Sequence, residues 1–355
     1  MRMRLVFATG MLALLSCTPQ ETPEPIGNGA DESPLYVLQL DDVSLDAIGS
    51  STFTLLVIEP SRSGSAADEL SAAEVAALRS AGPCGGRKVL AYLSVGEAEN
   101  YRDYWNPDWV DGAGVPRPGV APDWLGPDNP DFPGNYKVRY WELGWQAIIL
   151  GTASGSNATP LDRIINAGYD GVYLDIIDAY EFWSDNEAGA ELTRQDARQR
   201  MVDWVSGIAS YARQTRGRSN FAVFPQNAAG IVFDDDGALD GLGETYLQVV
   251  SGIGVEDLFY DETAPQDSAE TAAQLEALAQ FNSRGKAVMV TDYVLDEAVL
   301  SGVSAARAKN FVTRARAAGF APYAAVQDRD LDEIVTLESL DWGFDQPAGA
   351  CLSTP

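Results

Sequence analysis

Two short stretches are built alike and each delivers one carboxylate. "GYDGVYLD" (168–175) opens on Asp-Gly, runs through apolar residues and stops at Asp175; "LDGLGETY" (239–246) opens on Asp-Gly again and carries Glu244. The chain contains no histidine. That excludes Ser-His-Asp and Cys-His nucleophile systems and any His-ligated zinc. Proton transfer near neutral pH then falls to carboxylates, with Tyr and Lys as outsiders. Paired carboxylates equip a protein for glycoside hydrolysis: one protonates the leaving oxygen while the other stabilises or attacks the developing oxocarbenium centre. Glu is the more usual acid, which would make Asp175 the nucleophile, but spacing alone leaves the two roles open.

Such residues need elements to hold them. Short apolar or β-branched runs recur at 35–40, 53–58, 88–95, 171–175, 220–227, 239–246, 286–293 and 321–328. Amphipathic helical patterns lie between several of them. Residues 71–80 begin with a capping box, Ser71 and Glu74, and 193–215, 268–283 and 304–318 repeat the helical type, the last ending at Gly319. Eight runs mostly followed by helices predict a single (β/α)8 TIM barrel, an α/β fold. A doubly wound sheet is the competitor, but no G-x-G-x-x-G follows the first strand.

In a barrel the active site lies at the C-terminal ends of the strands. Numbered in order, Asp175 ends strand four and Glu244 ends strand six. Strand alternation sends Tyr173 with Asp175, and Leu242 with Glu244, to the interior. The candidate catalytic pair is therefore Asp175 and Glu244, facing each other about 5–6 Å apart if configuration is retained. Polar and aromatic residues near the same ends form the candidate substrate-binding set: Tyr92, Ser94 and Glu97 after the third run, and Tyr173 and Asp178 around the fourth. Gln226 and Asn227 follow the fifth, Tyr246 the sixth, and Asp292 and Tyr293 the seventh. A long insertion, 101–142, holds four of the eight tryptophans, Trp105, Trp109, Trp124 and Trp141. Flat aromatics beside acids suit sugar stacking; the alternative is a small core beneath the loop.

Acids outnumber bases 52 to 24, so nucleic acid is not an expected partner. The surface instead favours solubility or a cationic ligand. No metal or cofactor is expected; the acidic run at 234–237 lacks the spacing of a calcium loop. Residues 1–17 read as a signal peptide ending in a lipobox, with Cys17 lipidated after cleavage. The alternative is an ordinary signal cut nearby. Residues 18–34 form a Pro- and Glu-rich tether, and 35–355 the catalytic domain. The expected location is therefore outside the cytoplasm, at the outer membrane or cell surface or else secreted, with membrane contact only through the lipid anchor. In an oxidising compartment Cys84 and Cys351 are expected to pair; two free thiols are the alternative.

"VLAYLSVGEAENYRDYW", "GYDGVYLDIIDAYEFW", "FPQNAAG", "GLGETYL" and "APYAAVQD" resemble the secreted endo-α-1,4-polygalactosaminidases over roughly residues 35–340. The resemblance implies a barrel hydrolase with Asp175 as nucleophile and Glu244 as acid/base. It also implies retention, no metal, and hydrolysis of α-1,4-linked galactosamine within a cationic polysaccharide. A monomer is expected. Two rival readings remain: a non-catalytic exopolysaccharide-binding surface lipoprotein, and a hydrolase of another α-linked sugar.

Overall fold

A computed structural model describes residues 34–38, 44–82, 86–151, 159–185, 190–298 and 302–336. The expected leader, the expected tether up to residue 33, and Cys17, Cys84 and Cys351 lie outside the described residues.

Eight parallel strands carry the fold: β1 (Pro34–Val37), β2 (Leu55–Ile58), β3 (Lys88–Ser94), β4 (Gly171–Asp175), β5 (Ala222–Pro225), β6 (Gly252–Glu256), β7 (Ala287–Leu295) and β8 (Ala321–Val326). Strands β1 to β5 form one parallel sheet in sequence order, and β6, β7 and β8 a second. A single bridge between Gln226 and Gly254 joins β5 to β6. At the other side Tyr36 and Tyr323 place their ring centroids 5.7 Å apart, and the Leu38 amide donates to the Leu331 carbonyl at 3.0 Å. Among the described residues no ladder joins β8 to β1. The expected barrel is thus met in strand number, direction and order, while the sheet does not close. The amide next after β1, that of Leu38, is taken by the segment after β8 and not by β8 itself.

The helices are α1 (Leu45–Ser50), α2 (Ala72–Ser80), α3 (Leu143–Ile149), α4 (Pro160–Ala167), α5 (Ala179–Phe182), α6 (Arg194–Ser210), α7 (Gly241–Val249), α8 (Ser268–Asn282) and α9 (Gly302–Ala317). The capping box of α2 forms as its sequence predicts: Ser71 Oγ accepts from the Glu74 amide, and Glu74 Oε2 accepts from the Ser71 amide. Thr159 caps α4, Pro160 occupies its first turn, and Gly168 ends it at φ 91°. That left-handed glycine turns the chain straight into β4, and so fixes where Asp175 emerges. Strands and helices share one core, with β2, most of β3, and β4, β5 and β7 almost wholly buried. No helix among the described residues is long and apolar enough to cross a membrane.

The sixth strand differs from the sequence expectation. Residues 239–246 are not a strand; they begin α7, with Asp240 as N-cap accepting from the Gly243 amide at 2.8 Å. The true sixth strand is "GIGVE", one element later.

The insertion builds its own three-stranded antiparallel sheet from Glu97–Glu99, Asn135–Val138 and Leu125–Asp128. Three of its four tryptophans join one cluster, while Trp141 packs edge-on against Tyr140 and Trp183. Trp105 meets Trp109, Trp109 meets Trp124 and Trp124 meets Trp145, with centroids 5.2–5.3 Å apart, while Trp105 stacks on Tyr136 at 4.7 Å. Trp145 donates to the Val95 carbonyl at 2.9 Å, tying this cluster to the end of β3. The aromatic set therefore forms a small core under the loop, and a sugar-stacking role is not supported for Trp124, which is buried.

Candidate active site

Asp175 is the last residue of β4 and pairs in register with Ser94 of β3. Its carboxylate is held at both ends. Tyr92 donates its hydroxyl to Oδ2 at 2.6 Å, and the Ile176 amide donates to Oδ1 at 2.8 Å. The carboxyl is raised to about 7, chiefly by burial, with Glu256 and Asp178 adding to the rise and the Tyr92 and Ile176 donors opposing it. The chain turns sharply here. Ile176 has φ 59°, a strained conformation for a β-branched residue. Its carbonyl approaches Gly96 so closely that a Cβ there would lie 2.1 Å from it, so position 96 admits only glycine.

Glu256 is the last residue of β6. Its Oε2 accepts from Gln226 Nε2 at 2.6 Å and Asn227 Nδ2 at 3.2 Å, while Oε1 accepts from the Tyr293 hydroxyl. Asn227 also fixes the Glu256 backbone, its Oδ1 accepting the Glu256 amide at 2.9 Å. Three side chains from the two neighbouring strands, Gln226 and Asn227 at the end of β5 and Tyr293 on β7, thus aim this one carboxylate. With β5 alone between them, β4 and β6 lie about 10 Å apart, so two inward side chains at their ends can converge. The electrostatic influence of Glu256 on Asp175 agrees with this convergence.

Backbone strain marks the same face. Among the described residues, seven that are not glycine have positive φ, and five of them, Ile176, Asn227, Ala228, Asp257 and Arg329, lie within three residues of the C-terminal end of β4, β5, β6 or β8.

Several sequence-predicted residues are placed elsewhere. Glu244 lies on the first turn of α7, half-buried, and pairs with Arg284 at 2.7 Å. It is not at a strand end, because Asp240 caps a helix whose Tyr246, Leu247 and Val249 are buried. Tyr246 is wholly buried and meets the Phe281 ring edge-on at 6.4 Å, so it belongs to the core. Tyr173 is also core: its ring meets Tyr36 at 5.5 Å and fills the space that a side chain at Gly254 would need. Asp292 is fully buried, accepting from the amides of Leu258, Phe259 and Tyr260, all at 2.9 Å. It braces the loop after β6 and does not face substrate. Glu97 is buried in the insertion sheet, accepting from Asn129 Nδ2 at 2.9 Å and from Lys137, and the Ser94 hydroxyl is spent on the Glu97 carbonyl at 3.0 Å. Asp178 stays exposed at the rim, near Lys137. Tyr92, Gln226, Asn227 and Tyr293 do converge, but on the two carboxylates.

Sequence reasoning missed Glu256. The acid closing "GIGVE" is the one sign of it in the sequence, and the two glycines of that run hide the strand pattern that would have drawn attention to it.

The family model described as glycoside-hydrolase family GH114 matches residues 36–341. The chain belongs to this family. GH114 includes endo-α-1,4-polygalactosaminidases, and the protein is a glycoside hydrolase. Similar proteins include uncharacterized proteins of Methanocaldococcus jannaschii, 34% identical over 85% of this chain and 78% of theirs, and of Thermotoga maritima, 34% identical over 86% and 84%. A similar solved structure is the PgaB (BpsB) glycoside hydrolase domain from Bordetella bronchiseptica. It matches with a TM-score of 0.50 and 12% identity, over 84% of this chain and 94% of that one, a likeness of fold. For a GH114 hydrolase the pair at the ends of β4 and β6 is the arrangement able to give and take a proton beside an anomeric carbon.

Proposed function

We propose that the protein is a retaining, endo-acting hydrolase of α-1,4-linked galactosamine in a cationic polysaccharide, with Asp175 as nucleophile and Glu256 as acid/base. We take the eight parallel strands as a (β/α)8 barrel whose mouth is this site. The supporting observation is the pair of oriented carboxylates on one strand-end face, one of them desolvated.

The roles follow from environment. A carboxylate deprived of water is costly in the empty site, and an adjacent developing oxocarbenium ion relieves that cost. This differential suits Asp175 as nucleophile. Glu256 would protonate the leaving O4 as Asp175 forms a bond to C1. It would then take a proton from the water that displaces Asp175, so that two inversions retain configuration. Gln226, Asn227 and Tyr293 would keep Glu256 aimed through both steps. An ammonium-bearing sugar would help to hold Asp175 ionised. The excess of acids over bases, 52 to 24, favours encounter with such a polymer.

The test is incubation of the protein with partially deacetylated galactosaminan, reading released oligosaccharides by mass spectrometry and the first-formed anomer by NMR. Release of α-anomeric oligosaccharides is expected. No release, or first-formed β-anomers, would overturn the substrate or the retention respectively.

A further inference from the structure

The loop after β8 reaches back to the site through one side chain. Arg329, at φ 67°, donates from Nη2 to both oxygens of Asp257, at 2.8 and 2.7 Å. Asp257 directly follows Glu256 and has φ 54°. The same guanidinium lies 4.2 Å from the centroid of the Tyr293 ring, and the Tyr293 hydroxyl donates to Glu256 Oε1. Tyr293 is buried, whereas the Arg329 side chain is about 38% exposed. A contact made at the surface is thus passed to Glu256 by two routes, through the ring of its hydrogen-bond donor and through the backbone of its neighbour.

We propose that Arg329 is a positioning residue for Glu256, holding Tyr293 against it for proton transfer to the leaving oxygen. This rests on the reading of Glu256 as acid/base. The planar guanidinium is suited to stacking and pairing at once, which an ammonium cannot reproduce. Both partners sit in left-handed backbone conformations that persist only where surrounding contacts hold them. Without Arg329 the face of Tyr293 loses its cover and Asp257 its partner. The third donor to Glu256, the Tyr293 hydroxyl, is then less firmly held, while Gln226 and Asn227 are unchanged.

The experiment compares wild type, Arg329→Gln, Arg329→Lys and Tyr293→Phe on two substrates: galactosaminan, whose leaving group needs a proton, and a galactosaminide with a dinitrophenyl leaving group, which does not. Thermal unfolding of each variant accompanies the kinetics. Positioning of a general acid predicts that Arg329→Gln lowers kcat on the polymer by about tenfold, part of the 10²–10⁴-fold such groups supply. The rate of glycosyl-enzyme formation from the activated substrate should change by less than about threefold, with KM little altered. Tyr293→Phe should show the same split more strongly, and Arg329→Lys an intermediate one. A merely structural role would depress both substrates together, in step with lost stability. Parallel losses, or no loss, in Arg329→Gln would overturn the positioning role. A wild type inactive on both substrates would overturn the proposed reaction itself, and this role with it.

Discussion

Replacing Asp175 by Asn should inactivate the protein and stabilise it. Burial raises the Asp175 carboxyl from its ordinary 3.8 to about 7. A group whose folded pKa is raised binds more protons folded than unfolded between those two values. Stability therefore falls as pH rises from about 4 to about 7, and the loss is complete above that. At 1.36 kcal/mol per unit, ionised Asp175 costs at most about 4 kcal/mol at pH 8. The amide removes the charge without stranding its partners. Its oxygen can still accept from the Ile176 amide, and its NH2 can face the Tyr92 hydroxyl, which is able to accept as well as donate. Denaturant unfolding of wild type and Asp175→Asn at pH 4 and pH 8 provides the assay. The variant should match wild type within about 0.5 kcal/mol at pH 4 and exceed it by about 2–4 kcal/mol at pH 8. An equal gain at both pH values, or none at pH 8, would refute the argument that desolvation holds this carboxylate in a costly state.

The same carboxyl sets a pH limb. As nucleophile Asp175 must be ionised, so kcat/KM should fall as pH drops below about 7; a wild-type profile that instead falls on raising pH through 7 would reverse the two roles. Glu256→Gln should lose polymer cleavage yet keep partial glycosyl-enzyme formation from an activated substrate, as measured by burst kinetics. Glu244→Gln should keep near wild-type activity and shift stability by less than about 1 kcal/mol, because it breaks only the exposed pair with Arg284; loss of activity there would restore the residue to the site. Asp292→Ala strips three buried amides of their acceptor and should cost several kcal/mol, at about 1–3 kcal/mol per amide, by equilibrium unfolding.

The strand bearing Asp175 was legible because its interior positions take large apolar residues. Val172, Tyr173 and Leu174 form an unbroken run, and Gly168 and Thr159 punctuate the helix before it. The strand bearing Glu256 was illegible for a reason that lies in the same packing. Tyr173 reaches across to β6, where a Cβ at Gly254 would sit 2.0 Å from its hydroxyl, and Phe224 does the same to Gly252 at 2.2 Å. Large residues on β4 and β5 thus force glycines into β6, and glycine removes the alternating pattern by which a strand is read. Meanwhile α7 supplied the missing sixth run by imitation, since Asp240 followed by Gly241 and Leu242 begins a helix with the residues that also end a turn before a strand. The insertion misled differently, because composition reports that tryptophans are present but not which face each one covers. Strain adds the information that pattern withholds. Left-handed residues cluster where β4, β5, β6 and β8 end, at the positions that aim Asp175, Glu256 and Arg329. Each such position costs roughly 1–3 kcal/mol, and no packing advantage requires the costs to gather on one face. Three of the five adjoin or bond the two carboxylates: Ile176 donates to Asp175, Asn227 bonds Glu256, and Asp257 follows it.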